Sequence, residues 1–193
     1  MKIAILFDDC MRQGGVERVI HTLANYFVSE FNYNIEIINY DKKTEIDYYK
    51  YGEEIKVINF QIFNKNKNPF LKYINKRIGI KKLKEYLLEN EYDIILSMAT
   101  ITNVLLAKMH KGIKARMIGT EHTRYNGHSL KTKIRRKIYY KRLSELVVLT
   151  EEDYGKYINN FEKKVKIIKI YNPISKNFKF NKYNLKTKKI LTA

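Results

Sequence analysis

A chain of 193 residues can bury one core of ordinary size and is short for two full domains. Hydrophobic residues at 45% and aromatics at 13% exclude a disordered chain, and a single cysteine, Cys10, excludes an intrachain disulfide. The formal net charge of +18 favours phosphate-bearing partners (nucleic acid, anionic lipid or nucleotide) without choosing among them.

The apolar run KIAILF (2–7) predicts a fully buried strand, and Asp8 and Asp9 end it too soon for a secretory signal. No run approaches a membrane span, so the expected location is cytoplasmic, soluble or peripheral on the inner face of the plasma membrane. Val16, Val19, Ile20, Leu23, Ala24 and Phe27 recur at helical spacing. IEIINY (35–40) and EIKVINF (54–60) read as strands, NKNKN (64–68) as an exposed loop, and about 70–89 as a helix. DIILSM (93–98) is a buried strand followed by a helix to about Lys111. ARMIGTEH (115–122), LVVLT (146–150) and KVKIIKIYN (164–172) are strands; Ser129 to Leu143 is a basic helix and EEDYGKYINN a short one. Strands that are apolar without alternation, separated by helices, imply a sheet covered on both faces. The expected fold is therefore α/β, a Rossmann-like doubly wound, mainly parallel sheet over residues 1–172. Residues 173–193 read as a connector from Pro173 and then KKILTA, a strand of a second domain cut short, so the chain is expected to be an N-terminal piece of a larger protein.

Ligands of open parallel sheets bind beyond the carboxyl ends of the strands. Those ends carry Asp8, Asp9, Ser97, Thr120, Glu121, His122, Thr150, Tyr171 and Asn172, with Arg12 beside the first turn. That turn places Gly14 and Gly15 where a helix begins. A helix N-terminus offers unpaired N–H groups to an anion, and glycines let a phosphate approach; a plain tight turn explains them equally. The turn is neither G-x-G-x-x-G nor a Walker loop.

GGVERVIHTLANYF after a first strand resembles the opening of family 4 glycosyltransferases of the GT-B fold. GTEHT (119–123), LVVLTEEDYGKY (146–157), KIIKIYNPIS (166–175) and KKILTA resemble further segments of that family in the same order. The resemblance implies the N-terminal half of a GT-B enzyme that transfers a hexose or N-acetylhexosamine with retention, without a metal or other cofactor. The co-substrate would be a UDP- or GDP-linked nucleotide sugar. The acceptor would be a lipid-linked or polysaccharide glycan in bacterial surface assembly, such as capsule. It further implies that Gly14 and Gly15 approach the donor diphosphate and that His122 contacts the donor sugar. Asp9, Arg12, Ser97, Glu121 and Thr150 become candidates for the acceptor or cleft. The family's diphosphate-binding and Glu-x7-Glu residues belong to a C-terminal domain, so no catalytic residue is assigned here and this piece alone is expected to be inactive.

Each residue also has a structural reading. Asp8 and Asp9 could cap local turns, and Glu121 could orient His122, bind a hydroxyl or cap the next segment. Thr150 opens a capping box, Glu17 suits a first helical turn, and Cys10 has no partner base. His122 and His128 lack metal-ligand spacing. The acid-free runs KYINKRIGIKKLK (72–84) and KTKIRRKIYYKR (131–142) are either solvated faces or a surface for anionic membrane. In the second run Lys131, Lys133, Arg135, Arg136, Lys137, Lys141 and Arg142 would touch lipid phosphate. The alternative class is a basic nucleic-acid-binding domain, but no helix-turn-helix, RNP, KH or zinc pattern occurs, so no nucleic-acid partner is expected. A nicotinamide-dependent oxidoreductase lacks its glycine fingerprint, and half a cleft could also act only as a scaffold.

Overall fold

The computed structural model describes residues 1–45, 47–62 and 68–173. In chain order the elements are β1 (Lys2–Phe7), α1 (Gly15–Phe31), β2 (Asn34–Asn39), β3 (Lys56–Asn59), α2 (Pro69–Glu89), β4 (Ile94–Met98) and α3 (Thr100–Met109). β5 (Arg116–Thr120), α4 (Leu130–Tyr139), a 3-10 turn at Tyr140–Arg142, β6 (Glu145–Val148), α5 (Glu151–Phe161) and β7 (Lys166–Lys169) complete it. The seven strands form one sheet in the order β3-β2-β1-β4-β5-β6-β7. Every neighbouring pair in it is parallel. The predicted α/β class and parallel sheet are what the chain forms.

Both faces of the sheet are packed, which is why its strands show no polar alternation. On one face Ile3, Ile5, Ile35 and Ile37 meet Val19, Ile20 and Ala24 of α1. On the other, Ala4, Leu6, Ile38, Ile95, Leu146 and Val148 pack under Leu83 and Leu87 of α2, Leu105 and Leu106 of α3, and Tyr157 and Phe161 of α5. The predicted basic helix is interrupted: α4 stops at Tyr139 and a tighter turn follows. Most of NKNKN, and all of 174–193 with the KKILTA strand, lie outside the described residues.

In a parallel sheet with helical crossovers, each helix that follows a strand starts at the carboxyl edge. The chain order reverses between β1 and β4, which hydrogen-bond with Ile3 opposite Ile94. The splayed connections at such a reversal leave a crevice just beyond the strand ends.

Candidate functional site at the carboxyl edge

The crevice is present. A cavity of about 280 Å³ opens between Phe7, Asp8 and Arg12 after β1, Tyr40 after β2, and Ala99 to Thr102 after β4. Thr123, His128 and Thr132 close its far side. A larger cavity of about 930 Å³ runs along the flank of α1 against Tyr171 and Pro173. Among the described residues, none of the buried polar side chains lines that larger space, so the chemistry converges on the smaller one.

A buried relay forms one wall. Thr100 Oγ1 donates to Glu121 Oε2 at 2.5 Å, and His128 Nε2 lies 2.9 Å from the same hydroxyl. A hydroxyl has one hydrogen, and here it goes to the carboxylate. His128 Nε2 therefore donates to Thr100, and Nδ1 is the ring nitrogen left outside this bond. Glu121, 3% exposed, also accepts from Asn103 Nδ2 at 3.2 Å and from the Tyr140 hydroxyl. The Tyr140 phenol is pushed well up, first by burial and then by the charge of Glu121.

The opposite wall is built by Arg12. Its guanidinium reaches Asp8 Oδ1 at 3.0 Å and Glu17 Oε1 at 3.2 Å from Nε. Burial alone would lower its pKa, but Asp8 and Glu17 outweigh this and hold it up. Glu17 is the third residue of α1, where a carboxylate complements the helix dipole. The two glycines of the turn then separate in role. A Cβ on Gly14 would sit 2.1 Å from Glu17 Oε2, so Gly14 gives room for that carboxylate to fold over the helix end. Gly15 has nothing within 4 Å of a Cβ position and is exposed at the first helical position. The N-terminus of α1 thus already holds one acid; only the Gly15 side is open to an incoming phosphate.

Between the strand ends the backbone is strained. Ala99, the residue before α3, has φ 79° and ψ 156°, a region that glycine alone occupies readily. Its N–H donates to Thr120 O at 3.1 Å, which holds the turn. The conformation aims the first turn of α3, with Thr100 and Thr102, into the crevice.

Several expected site residues are elsewhere. Asp9 is fully buried and turned away from the crevice. Its carboxylate accepts from Lys43 N at 2.8 Å, Thr44 N at 2.9 Å and Met11 N at 3.2 Å. Burial pushes this carboxyl up, but those N–H groups together hold it below its ordinary value. Ser97 is also fully buried, donating to Asn103 Oδ1 at 2.7 Å; it ties β4 to α3 and does not line the crevice. Thr150 caps α5, accepting from Asp153 N at 3.1 Å, two strands away from the chain reversal. Glu121 reaches the crevice through Thr100 and His128 rather than by orienting His122.

His122 is half-buried and does not line the cavity. The Thr120 hydroxyl donates to Ser97 O at 3.1 Å, so His122 Nε2, 3.1 Å away, donates to Thr120. Burial lowers the His122 pKa, partly offset by Glu121. The ring is thus neutral with a bare Nδ1 at the same sheet edge. His128, which the sequence singled out only for its lack of metal spacing, is the histidine that the crevice presents. Its partner Thr100 comes from the end of β4, 28 residues earlier, so no local spacing could have marked it.

Cys10 is buried beside Asn39, its thiol pushed up to about 12 by burial, and is no nucleophile. In the basic helix, Arg136 is corrected from the expected lipid contacts: it is 1% exposed. It donates to the Tyr157 hydroxyl at 2.6 Å and to Tyr125 O at 2.9 Å, and stacks over the Tyr125 ring. Lys131, Arg135, Lys137 and Lys141 are exposed, while Lys133 and Arg142 are half-buried.

Residues 13–178 match the family described as Glycosyltransferase Family 4. A relative in Campylobacter jejuni is a GalNAc-α-(1→4)-GalNAc-α-(1→3)-diNAcBac-PP-undecaprenol α-1,4-N-acetyl-D-galactosaminyltransferase. It is 29% identical over 177 residues, which cover 87% of this chain and 45% of the relative. Among solved structures, a lipopolysaccharide outer core galactosyltransferase in its apo form superposes with a TM-score of 0.64 at 20% identity, over 91% of this chain and 46% of its own. HepE of Anabaena in complex with UDP-glucose superposes with a TM-score of 0.59 at 15% identity, over 90% and 44%. The chain thus spans about half the length of these relatives, and they share its fold. With a parallel seven-stranded sheet, a crevice at the chain reversal and a family match over most of its length, this chain belongs to Glycosyltransferase Family 4.

Proposed function

We propose that the chain is the acceptor-side half of a nucleotide-sugar-dependent retaining glycosyltransferase that extends a lipid-linked bacterial glycan. The observation that carries this is the crevice at the chain reversal, where Thr100, His128 and the Asp8–Arg12 pair face one another. Sugar hydroxyls need both donors and acceptors at fixed positions, and this wall offers them: Asp8 accepts, Arg12 donates, and the His128 ring lies beside them. The exposed Gly15 end of α1 leaves room for a donor diphosphate approaching from a second domain. UDP is favoured as the nucleotide because HepE was solved with UDP-glucose. A lipid-linked acceptor is favoured because the Campylobacter relative is named for an undecaprenol-linked one. Retention of configuration rests on the family.

The test is sugar transfer by the full-length protein from a panel of UDP- and GDP-sugars to a bacterial membrane lipid extract. Transfer from a UDP-sugar to lipid is expected. Folded protein that neither transfers sugar nor releases nucleotide with any donor contradicts the proposal.

A further inference from the structure

Helix α4 is turned inside out. Its inward side buries Arg136, while Leu130, Ile134 and Ile138, spaced at i, i+4 and i+8, are 74%, 50% and 47% exposed. A helix on a water-facing surface hides such a stripe in the core. Lys137 lies on the same outer face, Lys131 and Arg135 border it, and exposed Lys141 follows in the 3-10 turn. Among the described residues none of these four cations is ion-paired.

The neighbouring helix repeats the pattern. The first half of α2 buries no side chain, although Phe70, Leu71 and Tyr73 lie on it, exposed. Its Lys76 pKa is lowered, first by burial and then by Arg135, Lys131 and Lys72; Lys108 of α3 is lowered by burial, Arg135 and Lys76. Cations from three helices therefore lie near one another on this part of the surface. All three helices start at the carboxyl edge, and Ile101 and Thr132, from the first turns of α3 and α4, line the crevice. The basic, apolar surface is thus continuous with the site.

We propose that α4 and the first half of α2 seat the protein on an anionic phospholipid bilayer, with Leu130, Ile134 and Ile138 in the interface and Lys131 and Arg135 on headgroup phosphates. Its use, to hold the crevice where a lipid-linked acceptor emerges, rests on the glycosyltransferase reading; the lipid contact itself does not. An apolar stripe flanked by cations matches a bilayer surface, where acyl chains and phosphates are stacked in depth, better than a uniformly polar nucleic-acid backbone. Among the described residues no helix is long and apolar enough to cross a membrane.

The experiment is vesicle flotation of the full-length protein, which needs no turnover. Vesicles of phosphatidylcholine are compared with vesicles containing about one third phosphatidylglycerol, at low and high salt. Binding is expected to the anionic vesicles, at least about tenfold stronger than to the neutral ones and weakened by salt. Lys131→Glu/Arg135→Glu and, separately, Leu130→Ser/Ile134→Ser are expected to lower it about tenfold, and Lys111→Glu/Lys114→Glu at the opposite edge to lower it far less. In the unmodified protein, amide exchange of α4 should slow when anionic vesicles are added, a reading that depends on no variant. Equal binding to neutral vesicles, equal loss in the opposite-edge variant, unchanged α4 exchange, or binding of single-stranded RNA but not vesicles through Lys131 and Arg135 would overturn the proposal.

Discussion

Asp8 and Asp9 are adjacent, identical in type and opposite in fate. Asp8 faces the crevice and pairs with Arg12; Asp9 holds the loop at Lys43 and Thr44. Nothing local distinguishes them, because the partner of Asp9 lies 34 and 35 positions along the chain. Asp9→Ala would leave one buried and two part-buried N–H donors without their carboxylate and should cost about 2 kcal/mol at neutral pH in urea unfolding. The sign with pH follows from the carboxyl being held below its ordinary 3.8. Its contribution is complete above the unfolded value and lost as pH falls through the lower folded value, so the difference from the parent should shrink at about pH 3. An undiminished difference there would contradict an ionised Asp9. Ala99 carries the reverse expectation. Its φ of 79° suits glycine, so Ala99→Gly should relieve more strain than it adds in unfolded-state entropy, raising stability by about 1 kcal/mol. A destabilised variant would show that the turn is not strained.

At the level of elements, the strands were legible and the helices only partly so. KIAILF, DIILSM and LVVLT have non-alternating apolar runs because helices cover both faces, and their ends announced the polar edge. The basic run 131–142 was legible as a helix, but not as one with a buried cation. Arg136 differs from its neighbours only by contacts to Tyr125 and Tyr157, residues from other segments. Arg136→Met should cost about 3 kcal/mol in thermal or urea unfolding, since it removes the donor to the Tyr157 hydroxyl and leaves the Tyr125 carbonyl without its Arg136 partner. Lys would not rescue it, because one ammonium cannot span both acceptors while stacking on the ring. Lys137→Met, one residue on and exposed, should change stability by no more than about 0.5 kcal/mol. Equal effects at the two positions would contradict the buried role of Arg136.

For the molecule as a whole, the position of the site follows from topology. The chain reverses between β1 and β4, and the cavity lined by buried Thr100 and Thr102 lies beyond those strands. That edge was foreseen from strand ends; the selection of His128 over Ser97, Asp9 and Thr150 was not, since only the assembled sheet shows which ends face the reversal. The central claim is that this crevice receives the acceptor hydroxyl, with the His128 ring as one of its partners. The most direct measurement is steady-state kinetics of the full-length protein and its His128→Ala variant, varying acceptor and donor separately. The account predicts an acceptor KM raised about tenfold, worth about 1.4 kcal/mol, with the donor KM within about twofold of the parent. A folded variant with an unchanged acceptor KM, or with the loss in the donor KM instead, would contradict it.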